Sequence, residues 1–134
     1  MKYLLDTHAL IWLLNEPKKL SKKTLKLIED IKSEVHVSTI SFWELSLKHS
    51  IGKLPIENIE LEEIAAILND QLFISIIGLN EQESLSYYHL PYFGSHRDPF
   101  DRMLIWQAIK RDMALISSDV AAEQYRQCGL HVIW

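Results

Sequence analysis

Five carboxylates in this chain stand where strand-like runs give way to helical pattern: Asp6, Glu44, Asp98, Asp101 and Asp119. Asp6 closes the apolar run Lys2–Leu5. Glu44 falls in the first turn of the helix expected after the next strand. Asp98 and Asp101 open a strong helix, and Asp119 directly follows the run Ala114–Ser117. Carboxylates brought together repel one another and are costly unless paired. A hard divalent cation, Mg²⁺ or Mn²⁺, relieves that repulsion with oxygen ligands and retained waters. Such a site can activate a water and stabilise charge developing on a phosphodiester.

Each acid taken singly has a plainer explanation. Asp and Glu are favoured at helix starts by capping and by the macrodipole, each contributing about 0.5–2 kcal/mol. Ser41-Phe42-Trp43-Glu44 reads as a capping box. Asp98 reads as an N-cap followed by Pro99 at the first helical position, and Asp6 and Asp119 read equally well as simple caps. Capping does not explain why Asp6 follows an apolar strand so closely, or why two acids lie three apart. Position alone leaves both readings open.

The elements that must position these acids alternate along the chain. Strands are expected at Lys2–Leu5, Val35–Thr39, Phe73–Ile77, Ala114–Ser117 and Leu130–Trp134, from β-branched and apolar runs. Helices are expected at Thr7–Asn15, Lys22–Lys32, Ser41–His49, Leu61–Asp70, Glu81–Tyr88, Asp98–Arg111 and Val120–Gln127. Ser21 caps the second helix, which carries Leu25, Ile28 and Ile31 on one face. Leu90–Arg97 is a loop marked by Pro91 and Gly94. This alternation implies an α/β fold, a mostly parallel sheet covered on both faces in three α/β/α layers. In such sheets ligands collect at the carboxyl edge of the strands. With right-handed crossovers, the N-terminus of the Asp98 helix reaches that edge too.

The bulk composition sets limits. The 134 residues fit one domain, 1–134, and 48% hydrophobic content supports a packed core. A single cysteine, Cys128, allows no intrachain disulfide and fits a reducing cytoplasm, the expected location. No apolar run approaches the ~18 residues of a membrane span, so no membrane partner is expected. A net charge of −4 excludes a generally basic nucleic-acid coat; contact with nucleic acid must be local or rely on bound cations.

Four segments resemble the motifs of the PIN-domain family, and specifically the VapC-like ribonuclease toxins of type II toxin–antitoxin modules. They are Leu4-Leu5-Asp6-Thr7-His8-Ala9-Leu10-Ile11-Trp12, Ser38-Thr39-Ile40-Ser41-Phe42-Trp43-Glu44-Leu45, His96-Arg97-Asp98-Pro99-Phe100-Asp101-Arg102, and Leu115-Ile116-Ser117-Ser118-Asp119. The third is similar to the subgroup with an HxDPFDR signature. The resemblance covers nearly the whole chain in order and spacing. It implies a three-layer fold and a Mg²⁺- or Mn²⁺-dependent endoribonuclease. Asp6, Glu44, Asp101 and Asp119 then fall at the family's four acidic positions, with Asp6 and Asp101 as direct metal ligands. Glu44 and Asp119 would bind metal directly, through water, or at a second site. Asp98 either binds metal or only caps its helix. The resemblance further implies an RNA substrate, a homodimer, and a cognate antitoxin laying a segment across the acidic pocket, with an Arg offered to the carboxylates.

Neighbouring residues carry paired readings. Thr7 and Ser117 either hydrogen-bond a ligand carboxylate or a phosphate, or make local turn bonds. Arg97 and Arg102 could hold phosphate, and Arg102 could instead pair with Asp98 at i, i+4. His96 invites a general-acid role or a structural one. His8 is expected to shape the site. Lys18, Lys19, Lys22, Lys23 and Lys26 form either a solvated face or a track for an RNA backbone. Trp12, Trp43 and Trp106 read as core, and Cys128 as a small hydrophobe at a helix end. Two other functions fit the same residues: a DNA-directed or structure-specific nuclease, and a non-catalytic binding module in which the acids only cap helices.

Overall fold

The computed structural model describes residues Met1–Trp134. Five strands, β1 (Lys2–Leu5), β2 (Glu34–Ser38), β3 (Ser75–Ile77), β4 (Ala114–Ile116) and β5 (His131–Ile133), form one sheet in the order β3-β2-β1-β4-β5. Every pairing is parallel. The sheet is therefore wholly parallel, beyond the mostly parallel arrangement expected from sequence. β1 lies at the centre, with Leu4 opposite both His36 and Leu115 and Leu5 opposite Ile116.

Strand alternation divides the core into two. Leu4, Leu115 and Val132 face one side, where they pack with Leu104, Ile105, Ala108 and Tyr125. Leu5, Ile116, Val35 and Val37 face the other, where they pack with Ala9, Leu10, Ile64 and Leu68. The first layer is helix α6 (Pro99–Lys110) with the 3-10 helix Val120–Cys128; the other includes α1 (Thr7–Asn15) and α2 (Lys22–Glu29). Helix α3 (Thr39–Ser50) spans both, giving Ile40 to one core and Leu45 to the other. Between α3 and β3 the chain makes a 3-10 turn, Leu61–Glu63, a short α4 (Ile64–Ala66) and a π turn, Ile67–Gln71. Helix α5 (Glu81–Ser86) follows β3 and opens with a complete capping box between Asn80 and Glu83.

Several local expectations are corrected. Helix α2 ends at Glu29 rather than Lys32, because Asp30 leaves helical geometry and its carboxylate accepts from Lys32 N–H. Ile31 consequently lies 97% exposed, off the apolar face assigned to it. Strand β3 starts at Ser75, since Phe73 sits at φ +55° and cannot extend the ladder. The helix expected at Val120–Gln127 is present as a 3-10 helix, Val120–Cys128. It ends at Gly129, whose φ of +93° suits the left-handed C-terminal position. No helix is long and apolar enough to cross a membrane.

Candidate metal centre

The carboxyl edge of the three central strands brings the sequence-selected acids together. Asp6 follows β1, and its backbone N–H donates to Ile116 O, which continues the β1–β4 ladder by one residue. Ser117 N–H donates in turn to Ile133 O. These bonds seat Asp6 beside Ser117 at the middle of the edge. A narrow cleft there is lined by Asp6, His96, Asp101, Ser117 and Asp119 over a floor that includes Leu104, Ile105 and Leu115. One ligand atom from each of His96, Asp101 and Asp119 lies within 4.8 Å of the others.

Asp6 is both a cap and a buried carboxylate. Its Oδ1 accepts from Ala9 N–H at 2.8 Å, yet only 8% of the residue is exposed. Burial pushes its carboxyl above the ordinary range, against the Ser117 hydrogen bond, the Ala9 N–H and His8, while Asp119 adds repulsion. Asp101, in the first turn of α6, is raised to about 7 by burial and then by the charges of Asp98, Glu44, Asp6 and Asp119. The other four acids therefore all raise the Asp101 carboxyl, and Asp6, Asp101 and Asp119 line the cleft together.

The capping explanation holds for three of them. Asp6, Asp98 and Asp119 each cap a helix, Asp98 accepting from Phe100 and Asp101 N–H and Asp119 from Ala121 N–H. Glu44 and Asp101 cap nothing. Helix α3 begins at Thr39 with Ser38 as its cap, so Ser41 to Glu44 is not a capping box and Glu44 lies in the second turn. One Glu44 oxygen meets Lys48 Nζ at 3.4 Å; the other, Oε1, is buried with no partner. Glu83 provides the contrast. It is equally buried, yet its oxygens are occupied by Asn80 N–H, Gln107 and the Arg111 guanidinium. The fold can satisfy a buried carboxylate, and at the sheet edge it leaves Glu44 Oε1 and Asp101 short of cationic partners.

The surrounding residues divide. Ser117 Oγ accepts from Asp119 N–H, the local turn bond, and lies close enough to Asp6 to favour its charged form. Thr7 does not reach the cleft: it is buried and donates to Ser41 Oγ at 3.0 Å. Arg102 does not reach it either, and it makes no pair with Asp98. Its guanidinium is buried, and it donates to Tyr87 and Tyr125 hydroxyls and to Leu90 and Pro91 carbonyls. Arg97 is exposed, bonded to Gly94 and His96 carbonyls, beside a wider cleft of about 630 Å³ that it lines with His96, Asp98 and Gln124. His8 is exposed and tilts against Trp12. Lys18 and Lys19 follow the far end of α1, about 13 Å of helix from Asp6. Trp106 is core, Trp12 and Cys128 are half-buried, and Trp43 is 64% exposed, edge-on to Phe100, which corrects its core assignment. Sequence reasoning missed Lys48 and Tyr125, and it gave Ser41 a capping role where the structure has it accept from Thr7. Lys48 alone had a signal, the i, i+4 spacing from Glu44.

Comparison with protein families matches residues 3–127 to the PIN domain. No curated protein sequence matches the chain. Among solved structures the chain is similar to VapBC from Salmonella typhimurium, crystallised bound to DNA (16% identity, 99% of this chain and 97% of that one, TM-score 0.67). It is also similar to VapBC2 from Rickettsia felis, bound to a promoter DNA fragment (17%, 99% and 98%, 0.64). A third is FitAcB from Neisseria gonorrhoeae (14%, 98% and 96%, 0.62). At these identities the likeness establishes the fold.

Proposed function

The chain belongs to the PIN-domain family, and from that premise we propose that it is a divalent-metal-dependent endoribonuclease, the toxin of a type II toxin–antitoxin pair. The observation that carries the reading is the narrow cleft that gathers Asp6, Asp101 and Asp119, with no lysine or arginine paired to any of the three. The donor set fits a hard cation: carboxylate oxygens, with Glu44 Oε1 buried and unpartnered. Asp6 and Asp101 would hold Mg²⁺ or Mn²⁺, Glu44 and Asp119 directly or through water, and Asp98 would serve as a cap. The ion would supply an acidified water and charge neutralisation at the phosphodiester.

The chain's own residues prepare that chemistry. Ala9 N–H holds one oxygen of the Asp6 carboxylate and so fixes its orientation. Lys48 holds one Glu44 oxygen and leaves the other free. The apolar floor of Leu104, Ile105 and Leu115 keeps bulk water from beneath the cleft. Arg97, on the rim of the wider cleft, is placed to meet an RNA phosphate.

The finer assignments belong to the same reading. On this reading we assign the chain to the HxDPFDR subgroup from the His96–Arg102 segment, take residues 1–134 as one nuclease domain, and expect the protein to work in the cytoplasm as a homodimer. A cognate antitoxin is the partner of choice because the similar structures carry such partners by name. An arginine from it would neutralise the same acids a metal does.

The test is metal-dependent cleavage of matched single-stranded RNA and DNA. RNA cut in Mn²⁺ and protected by a chelator or by the antitoxin is expected. Equal cutting of DNA would point to a DNA-directed nuclease. No cleavage together with no Mn²⁺ binding in calorimetry would leave the acids as helix caps.

A further inference from the structure

His96 stands at the junction of the acidic cleft and a buried polar chain that the metal reading does not use. Its Nε2 lies 3.6 Å from Asp101 Oδ2 and has no hydrogen-bond partner, although it is buried. Its Nδ1 lies 2.8 Å from the Tyr125 hydroxyl. Tyr125 is completely buried, packed edge-on against both Phe93 and His96. Its hydroxyl also accepts from Arg102 Nη1 at 2.9 Å.

These contacts decide where the protons sit. A phenol has one proton to donate, and a guanidinium can only donate. Arg102 therefore takes an oxygen lone pair of Tyr125 and cannot receive its proton. With no solvent at Tyr125, the only acceptor within reach of that proton is His96 Nδ1. Nδ1 must then carry a lone pair, and the ring proton of neutral His96 must be on Nε2, facing Asp101. Were the proton on Nδ1, the buried Tyr125 hydroxyl would be left with two donors and no acceptor. Arg102 is in turn held by Tyr87, Leu90 and Pro91, so the far end of the chain is rigid.

We propose that the Arg102–Tyr125 pair fixes His96 as an Nε2–H donor, making His96 a positioning residue that orients the Asp101 carboxylate. This deepens the metal-site reading and rests on it for the purpose Asp101 serves. It removes His96 from the ligand set: an Nε2 that carries a proton offers no lone pair to a cation, so the metal would be held by carboxylates alone. It also assigns the buried Arg102 a task other than binding phosphate. The separation of 3.6 Å exceeds a hydrogen bond, and a small rotation of the Asp101 side chain, which is 27% exposed, can close it.

The test begins with long-range proton–nitrogen NMR of the ¹⁵N-labelled, metal-free protein, which reads the tautomer without any activity. The proton is expected on Nε2 and should remain there when Mg²⁺ is added. A proton on Nδ1, or loss of the Nε2 proton on adding Mg²⁺, would overturn the proposal. Tyr125→Phe keeps the packed ring and removes the hydroxyl. It should give mixed tautomers and weaken Mn²⁺ binding about tenfold, the scale of an outer partner of a metal ligand. Unchanged tautomer and unchanged affinity in this variant would count against the proposal. His96→Gln, whose amide can place an N–H near the Nε2 position, should bind Mn²⁺ more tightly than His96→Ala; equal loss in both would contradict a donor role. A wild-type chain that binds no Mn²⁺ would sink the metal-site reading, while the tautomer in metal-free protein would still decide the His96 assignment.

Discussion

Lys48 Nζ lies 3.4 Å from Glu44 Oε2, one turn along α3, while Glu44 Oε1 is buried without a partner. Lys48 is thus the one lysine or arginine paired with any of the five acids. Lys48→Met should lower metal-free stability by about 0.5 kcal/mol, the scale of a helical i, i+4 pair. The same change leaves Glu44 more electron-rich, so Mn²⁺ affinity should rise. Denaturant unfolding and calorimetry on one preparation check both signs; a fall in affinity would mean that Lys48 serves the bound state.

The crowded carboxyls make metal-free stability depend on pH. Asp101 is raised to about 7 from 3.8, and Asp6 is raised in the same direction. Through these two groups the folded state binds more protons than the unfolded state, so their contribution to stability falls as pH rises from about 4 to 7, while the lowered Glu83 acts the other way near its ordinary value of 4.5. The Asp101 share should be roughly 1–3 kcal/mol after allowance for its solvent contact. Thermal melts of the metal-free protein should show the decline, and Asp101→Asn should flatten it. Divalent cation should reverse it at pH 7 and above, because binding requires the deprotonated carboxylates. The same pH dependence in wild type and Asp101→Asn would contradict the crowding.

Arg102 behaves as a structural arginine. Replacing it with Met strands the Leu90 and Pro91 carbonyls and two tyrosine hydroxyls. Such losses cost roughly 2–4 kcal/mol. Arg102→Lys should recover little, since an ammonium cannot reproduce the planar fork. Chemical denaturation measures the loss, and limited proteolysis should find the Leu90–Arg97 loop newly cleavable. A variant with wild-type stability would reopen a substrate role.

Gly129 holds the end of the last helix at φ +93°, with open space where a Cβ would sit. Gly129→Ala should therefore cost about 1 kcal/mol through backbone strain alone, without a clash. Equilibrium unfolding checks it, and RNA cleavage by the folded variant should be unchanged.

The parallel sheet and its acidic edge were legible because β1 and β4 are short apolar runs followed within three residues by a capping acid, Asp6 and Asp119. Helix α3 was misread at both levels. Thr39 and Ile40 look like strand, which delayed the start by two residues and gave Ser41 the role that Ser38 plays. The buried stripe of α3 is Ile40, Ser41, Glu44 and Leu45. Half of it is polar, so hydrophobicity pointed to Trp43 instead. Arg102 was hidden for a related reason: a fully buried arginine is rare, and its acceptors come from residues 87 to 91 and 125, which no local spacing connects. Tyr125 gave no signal for the same reason.

Cleavage of single-stranded RNA in Mn²⁺ by wild type and by Asp6→Asn is the most direct test. Asparagine caps a helix as well as aspartate does, so the Ala9 N–H keeps its acceptor and the fold should persist, as circular dichroism and melting will show. The expected result is a folded variant that has lost cleavage by at least about 100-fold. A folded Asp6→Asn protein that cuts RNA at the wild-type rate would contradict the assignment of the carboxylate edge as the catalytic site.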